Sequence, residues 1–239
     1  MNIVATSDVT NPEEGKRRSA ERVRSIVRAV SWTTIAIGFI TAFAAGTLLA
    51  IGIKTAGWWP GAAWEQTLVH IAHKTVHPVL DVIMLVLPLF GTNYSLAPIV
   101  AVAVFVLWRK QQYAVALHMA VVQAGSWALN PALKFAFPRE RPMLYEQRGQ
   151  YAFPAFPSGH SIAVVAVMLT AALLLYRYRG QTWALWAVGF FYILNTFSRL
   201  YLSVHWPTDM VGGTRVGVVW MLACWKAFGN AHQVVDDRG

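Results

Sequence analysis

Six mainly apolar runs dominate the chain, at residues 31–53, 94–108, 113–133, 160–176, 182–202 and 208–228, each bounded by polar or charged positions. A helix rises about 1.5 Å per residue, so roughly 20 apolar residues cross a hydrocarbon layer of about 30 Å. The pattern therefore predicts an all-α fold, a bundle of six transmembrane helices. The stretch 64–90 breaks the rule. Its apolar part, 77–90, is too short to cross and carries Asp81 and Pro88, which predicts one or two short interfacial helices on the outer side.

Composition sharpens this picture. Of 239 residues, 56% are hydrophobic and 13% charged, and the charges gather at run ends, as in an integral membrane protein. The formal charge of +9 does not call for nucleic acid, because the grouped cations flank apolar runs. Six spans place Lys16, Arg17, Arg18, Arg22, Arg24 and Arg28, then Arg109, Lys110, Arg177, Arg179 and Lys226, all on one side. That side is expected to be the cytoplasm. Residues 1–30 and 229–239 are then cytoplasmic tails, and 31–228 form the domain within the cell membrane. Loops 54–93, 134–159 and 203–207 share the extracytoplasmic face. Trp58, Trp59, Trp64, Trp108, Trp183 and Trp206 near run ends fit an interfacial aromatic belt. A lone cysteine, Cys224, leaves no intrachain disulfide.

Three polar clusters fall on the outer loops: Lys134 with Arg141-Pro142, Pro157-Ser158-Gly159-His160, and Ser198-Arg199 followed by His205 and Asp209. Three permanent cations can neutralise the non-bridging oxygens of a phosphate ester, and arginine's planar fork suits them bidentately. Ser158 precedes an apolar helix as an N-cap, so the amides of Gly159 and His160 can face an anion with the helix dipole behind them. Asp209 follows His205 by four residues and lies on the same helical face. Its carboxylate can hold one ring nitrogen as a donor and leave the other free to attack phosphorus. His160 is left as the acid for the departing oxygen and later the base for water.

Lys134-x6-Arg141-Pro142, Pro157-Ser158-Gly159-His160 and Ser198-Arg199-x5-His205-x3-Asp209 resemble the three-part signature of the type 2 phosphatidic acid phosphatase superfamily. Every signature position is filled, and the resemblance covers roughly residues 65–228. It implies a six-helix bundle with the motifs near its outer ends and a phosphohistidine at His205 supported by Asp209. It further implies His160 as acid and base, with Lys134, Arg141, Ser158, Gly159, His160 and Arg199 around the phosphate. No metal and no other cofactor is implied. Soluble haloperoxidases and acid phosphatases share the signature, but the spanning runs argue against both. The expected activity is hydrolysis of a membrane lipid phosphate: undecaprenyl diphosphate, phosphatidylglycerol phosphate, phosphatidic acid or a phosphorylated lipid A. Phosphotransfer to a lipid hydroxyl and non-catalytic binding of lipid phosphates are the alternatives.

Other residues carry less. His70, His73 and His77 share one helix face, which a solvated polar face with Glu65, Lys74 and Asp81 explains without a metal. Arg215 lies inside the last apolar run and is expected to face the bundle interior. Asn130 and Pro131 are expected to bend a helix end, and Gly213 with Gly217 to permit close helix packing.

Overall fold

The computed structural model describes residues 12–59, 61–146 and 153–236, and the regular structure among them is helical. In chain order the helices are α1 (Pro12–Ala29), α2 (Trp32–Thr55), α3 (Ala63–His73) and α4 (Pro78–Val86), then a 3-10 turn (Leu87–Gly91). After it come α5 (Asn93–Arg109), α6 (Tyr113–Ala136), α7 (Gly159–Ala163), a π-turn (Val164–Met168) and α8 (Leu169–Arg179). The chain closes with α9 (Trp183–Tyr201), α10 (Pro207–Ala227) and α11 (Gly229–Asp236). Helix α7, the π-turn and α8 form one rod, Gly159–Arg179. The rod, α2, α5, α6, α9 and α10 are the six-helix bundle, and they coincide with the six apolar runs to within a few residues.

Local chemistry sets several ends. Ser31 caps α2 by accepting from the Thr34 amide at 3.3 Å, and Thr92 caps α5 by accepting from the Ser95 amide at 3.0 Å. Gly180 ends α8 in the left-handed conformation, φ 64°.

By length and composition alone, α2 and Gly159–Arg179 qualify as membrane spans, while α5 is apolar but 17 residues long. Helices α6, α9 and α10 have 24, 19 and 21 residues, and give part of their surface to buried polar groups. Gln123, Ser126, Lys134, Asn195, Ser198, Arg199, Thr208 and Asp209 are all buried. Large apolar side chains such as Ile40, Val102, Phe105, Trp186 and Phe190 face outward. Polar groups inside and apolar groups outside is the arrangement a bilayer favours.

Helices α3 and α4 correct one expectation. Together with the 3-10 turn they bend by 118°. Their outward faces carry Trp64, Leu68, Ile71, Val79, Val82 and Ile83, whereas Glu65 is completely buried. Glu65, His70 and His73 are therefore turned towards the protein rather than solvated, while Lys74 and His77 stay exposed. His70 meets the Tyr145 hydroxyl at 2.6 Å, the His73 ring stacks on Tyr145 with centroids 3.5 Å apart, and His77 caps α4. The periodicity of these histidines reflects the docking of α3 on a loop that sequence periodicity cannot see.

Close approaches hold α10 in the centre. A Cβ on Gly213 would lie 2.3 Å from the Ser158 carbonyl oxygen, and one on Gly125 would lie 2.1 Å from the Trp220 ring. The pairing of Gly213 and Gly217 against the rod is thus close helix packing. Arg215 departs from expectation, because it lies on the exposed side of α10. Its position two residues from both Gly213 and Gly217 turns it away from the rod.

At the opposite end, α1 and α11 pack through Ile26, Val30, Tyr113, Ala114, Ala227, Phe228 and Ala231. Arg22 donates to Gln111 at 3.0 Å, so the basic helix sits where α6 begins, away from Lys134 at the other end of α6. Parts of the two expected tails, residues 1–11 and 237–239, lie outside the described residues.

Candidate active site

The three clusters converge. A cavity of about 290 Å³ is lined by Lys134, Arg141, Gly159, His160, Arg199 and His205, together with Thr92, Asn93, Tyr94, Asn130 and Phe153. The rings of His160 and His205 face each other across it, with centroids 6.5 Å apart and planes at 75°. A tetrahedral group held by the cations can therefore have one imidazole on either side.

Each side chain arrives from a different element. Lys134 ends α6 and donates to the carbonyls of Pro154 and Ala155, the latter at 3.3 Å. Arg141 follows in the loop, where its Nε donates to the Phe153 carbonyl at 3.1 Å and its Nη1 to the Val204 carbonyl at 2.6 Å. Arg199, in the last turn of α9, donates to Ser198 Oγ at 3.2 Å and to the Met84 carbonyl at 3.5 Å. These oxygen acceptors orient the three side chains around the cavity.

Ser158 and Asp209 stand behind the wall. Ser158 Oγ accepts from the Ser161 amide at 3.4 Å, as a cap of the rod, and its own amide donates to the Asp209 carbonyl at 2.9 Å. That backbone bond fastens the second cluster to the third. Gly159 is required by space, since a Cβ there would sit 2.8 Å from Asn130 Nδ2. Asn130 is thus a pocket residue, not only a helix-end bend as expected. Asn93 reaches the same wall by accepting from Gln123 at 3.3 Å and Ser126 at 2.9 Å, which ties α5 to α6.

His205 sits in the loop between α9 and α10. Its Nδ1 lies 3.4 Å from Asp209 Oδ2, and its Nε2 lies 3.4 Å from Arg141 Nη1. The carboxylate side is thereby separated from the side that faces the phosphate cations. Burial first, and then the charges of Arg141, Lys134 and Arg199, hold the His205 pKa well below the ordinary 6.5. The ring is neutral at physiological pH, the form a nucleophile needs.

A further layer was invisible to motif reading. Arg139, 1% exposed, donates from Nη1 to Asp209 Oδ1 and Thr208 Oγ1, both at 2.7 Å. Its Nη2 donates to the Trp58 carbonyl at 2.9 Å and to Glu65 Oε2 at 2.8 Å. Trp206, expected in the interfacial belt, is instead 5% exposed and covers the Arg139 guanidinium. Glu65 lies 74 residues before Arg139, so no local spacing marks the pair.

The pattern of the PAP2 superfamily matches residues 113–233, half of the chain and all but the first edge of the pocket. The chain belongs to the PAP2 superfamily. Among relatives of this PAP2 protein, an undecaprenyl-diphosphatase of Sulfolobus acidocaldarius is 25% identical over 187 residues, 76% of this chain and 84% of the relative. Phosphatidylglycerophosphatase B of Bacillus subtilis is 26% identical over 147 residues, 59% of this chain and 72% of the relative. The crystal structure of a transmembrane PAP2-type phosphatidylglycerolphosphate phosphatase from Bacillus subtilis superposes with a TM-score of 0.68. That likeness covers 84% of this chain and 97% of the other at 21% identity, and it shows the shared fold.

Proposed function

We propose that this PAP2 protein is a lipid phosphatase that works through a phosphohistidine on His205. The reading is carried by one observation: His160 and His205 flank a single pocket to which Lys134, Arg141 and Arg199 also contribute. The three cations take up the charge of the phosphoryl oxygens. His205 Nε2 attacks phosphorus, and its Nδ1 proton is held by Asp209. The bond to the leaving oxygen breaks as His160 donates a proton to it, releasing a lipid alcohol or a lipid monophosphate. His160, now neutral, removes a proton from water. That water attacks the phosphohistidine, inorganic phosphate departs and His205 is restored. The protein's own cations supply the charge neutralisation, so no metal is required by this scheme.

Tyr94 and Phe153 at the pocket mouth are 66% and 44% exposed and give it an apolar rim. The lipid stem stays in the bilayer against this rim while the head enters. The clustering of lysine and arginine in α1 and at Arg109, Lys110, Arg177, Arg179 and Lys226 supports an extracytoplasmic site in the cell membrane, with both termini in the cytoplasm. Undecaprenyl diphosphate is favoured among the candidate head groups by outward-facing chemistry and by the name of the Sulfolobus relative.

The direct test is a phosphate-release panel in detergent, with and without EDTA, over undecaprenyl diphosphate, phosphatidylglycerol phosphate, phosphatidic acid and phosphorylated lipid A. Rapid acid-free quenching with 32P-labelled substrate should place an alkali-stable label on His205. Absence of phosphate release from all four lipids would overturn the assignment.

The pH profile gives a second expected result. Because the His205 pKa lies below 6.5, the loss of kcat/KM that follows protonation of His205 should come only in solution more acidic than pH 6.5. Arg141→Gln removes a charge that holds this pKa down, so its acid limb should move up towards 6.5. A limb that stays in place would assign the titration to another group.

A further inference from the structure

We propose that Arg139 is a positioning residue for the His205–Asp209 pair, and that Glu65 on α3 holds Arg139 in that task. The inference rests on the reading of His205 as nucleophile. Neither Arg139 nor Glu65 lines the pocket, and both side chains are completely buried. Their effect must therefore pass through other groups.

The geometry is specific at every atom. Asp209 has two oxygens with separate partners: Oδ1 accepts from Arg139 at 2.7 Å, whereas Oδ2 accepts from the Trp206 amide at 2.8 Å and faces His205 Nδ1 at 3.4 Å. Arg139 thus occupies the oxygen that His205 does not use and fixes the rotation of the carboxylate. With Oδ2 turned to the ring, the proton belongs on Nδ1 and the lone pair on Nε2, which faces Arg141 and the pocket. Four of the arginine's five N–H groups are bonded in one plane, and Trp59 and Trp206 lie over the guanidinium at 5.3 Å and 5.6 Å. A lysine has neither the fork nor the planar faces to reproduce this.

Glu65 completes the device. Its Oε2 accepts from Arg139 and from the Ala62 amide at 3.1 Å, while Oε1 accepts from the Thr208 hydroxyl at 2.6 Å and the Thr208 amide at 3.2 Å. One carboxylate therefore balances the arginine and also receives an amide of the first turn of α10, the helix that carries Asp209. Without Glu65, Asp209 would be the only carboxylate paired with Arg139 among the described residues. Helix α3 consequently supports the reaction site from behind through Glu65.

A single substitution strands a buried charge and risks misfolding, so the test uses a charge-balanced pair, Arg139→Met with Glu65→Gln, in the full chain. Positioning predicts kcat lower by about 10- to 100-fold, the usual scale for loss of an orienting outer group. KM for lipid phosphate and inhibition by inorganic vanadate should remain near their original values, because the pocket cations are untouched. Arg139→Lys should restore folding more readily than turnover. Histidine 15N NMR of the detergent-solubilised protein, with His205→Gln for assignment, reads the tautomer without any turnover. The Nδ1–H form should dominate in the original protein and give way to a mixture in the pair variant. Unchanged kcat, a rise in KM without loss of kcat, or an unchanged tautomer would each overturn the proposal. If His205→Ala retains turnover, the nucleophile assignment fails instead, and the tautomer measurement still decides whether Arg139 orients the pair.

Discussion

His205→Ala should lower lipid phosphate turnover by about 10⁴- to 10⁶-fold, the range seen when a nucleophile of a coupled catalytic group is removed. That corresponds to roughly 5–8 kcal/mol of lost transition-state stabilisation. The size follows from position. His205 turns Nδ1 to Asp209 and Nε2 to Arg141 on the cavity side, and His160 lies across the pocket. Water entering the vacated space would lack the Asp209-held proton and the fixed direction of attack. Folding should survive, because the residue sits in the connection between α9 and α10 and Asp209 keeps its bonds to Arg139 and the Trp206 amide. Phosphate release with a thermal-unfolding control checks this, and full turnover by the folded variant would refute the mechanism. Asp209→Asn should lose about 10⁴-fold, because an amide can favour the wrong tautomer.

Gly213→Ala should be among the most damaging one-carbon changes in the bundle. The added Cβ would lie 2.3 Å from the Ser158 carbonyl oxygen and 2.9 Å from Ser161 Cβ. A backbone oxygen cannot swing aside, so α10 and the rod must separate by roughly 1 Å, at an overpacking cost of about 1–3 kcal/mol. The same separation stretches the bond between the Ser158 amide and the Asp209 carbonyl and moves His160 away from His205. A displacement of about 1 Å can cost a further 100-fold in rate. Gly217→Ala is the internal comparison, since its nearest contact is a Val165 side-chain carbon at 3.0 Å. Thermal unfolding and kcat should both rank Gly213→Ala as worse, and equal effects would argue against the Ser158 contact as the cause.

Both substitutions probe a site whose signature was legible while its support was not. Lys134, Arg141, His160, Arg199 and His205 could be picked out because phosphate chemistry demands those residue types and they sit at ends of apolar runs. Arg139 lies two residues from Arg141, and no motif or spacing marks it. Its meaning depends on Glu65, Trp59 and Trp206, which reach it only in three dimensions. Glu65 was misread for a related reason. Helical periodicity shows that Glu65, His70 and His73 belong to polar positions, but it carries no sign for inward or outward. In a bilayer the polar positions turn to the protein, and the sense of amphipathicity is reversed.

Asn130 illustrates the same limit at shorter range. Beside Pro131 it looked like part of a helix end, yet α6 runs on to Ala136 and presents Asn130 to Gly159.

The succession of apolar runs bounded by charge pointed to the all-helical class and the six-helix bundle, because hydrogen-bond satisfaction in hydrocarbon leaves few other options for apolar segments. Residue type at the run ends pointed to an anionic ligand for the pocket. Only the tertiary structure decided which oxygen of Asp209 meets His205, which arginine is buried as support, and how closely α10 approaches the rod. Those outcomes depend on contacts of about 3 Å between segments far apart in the chain, and no spacing along one segment encodes such distances.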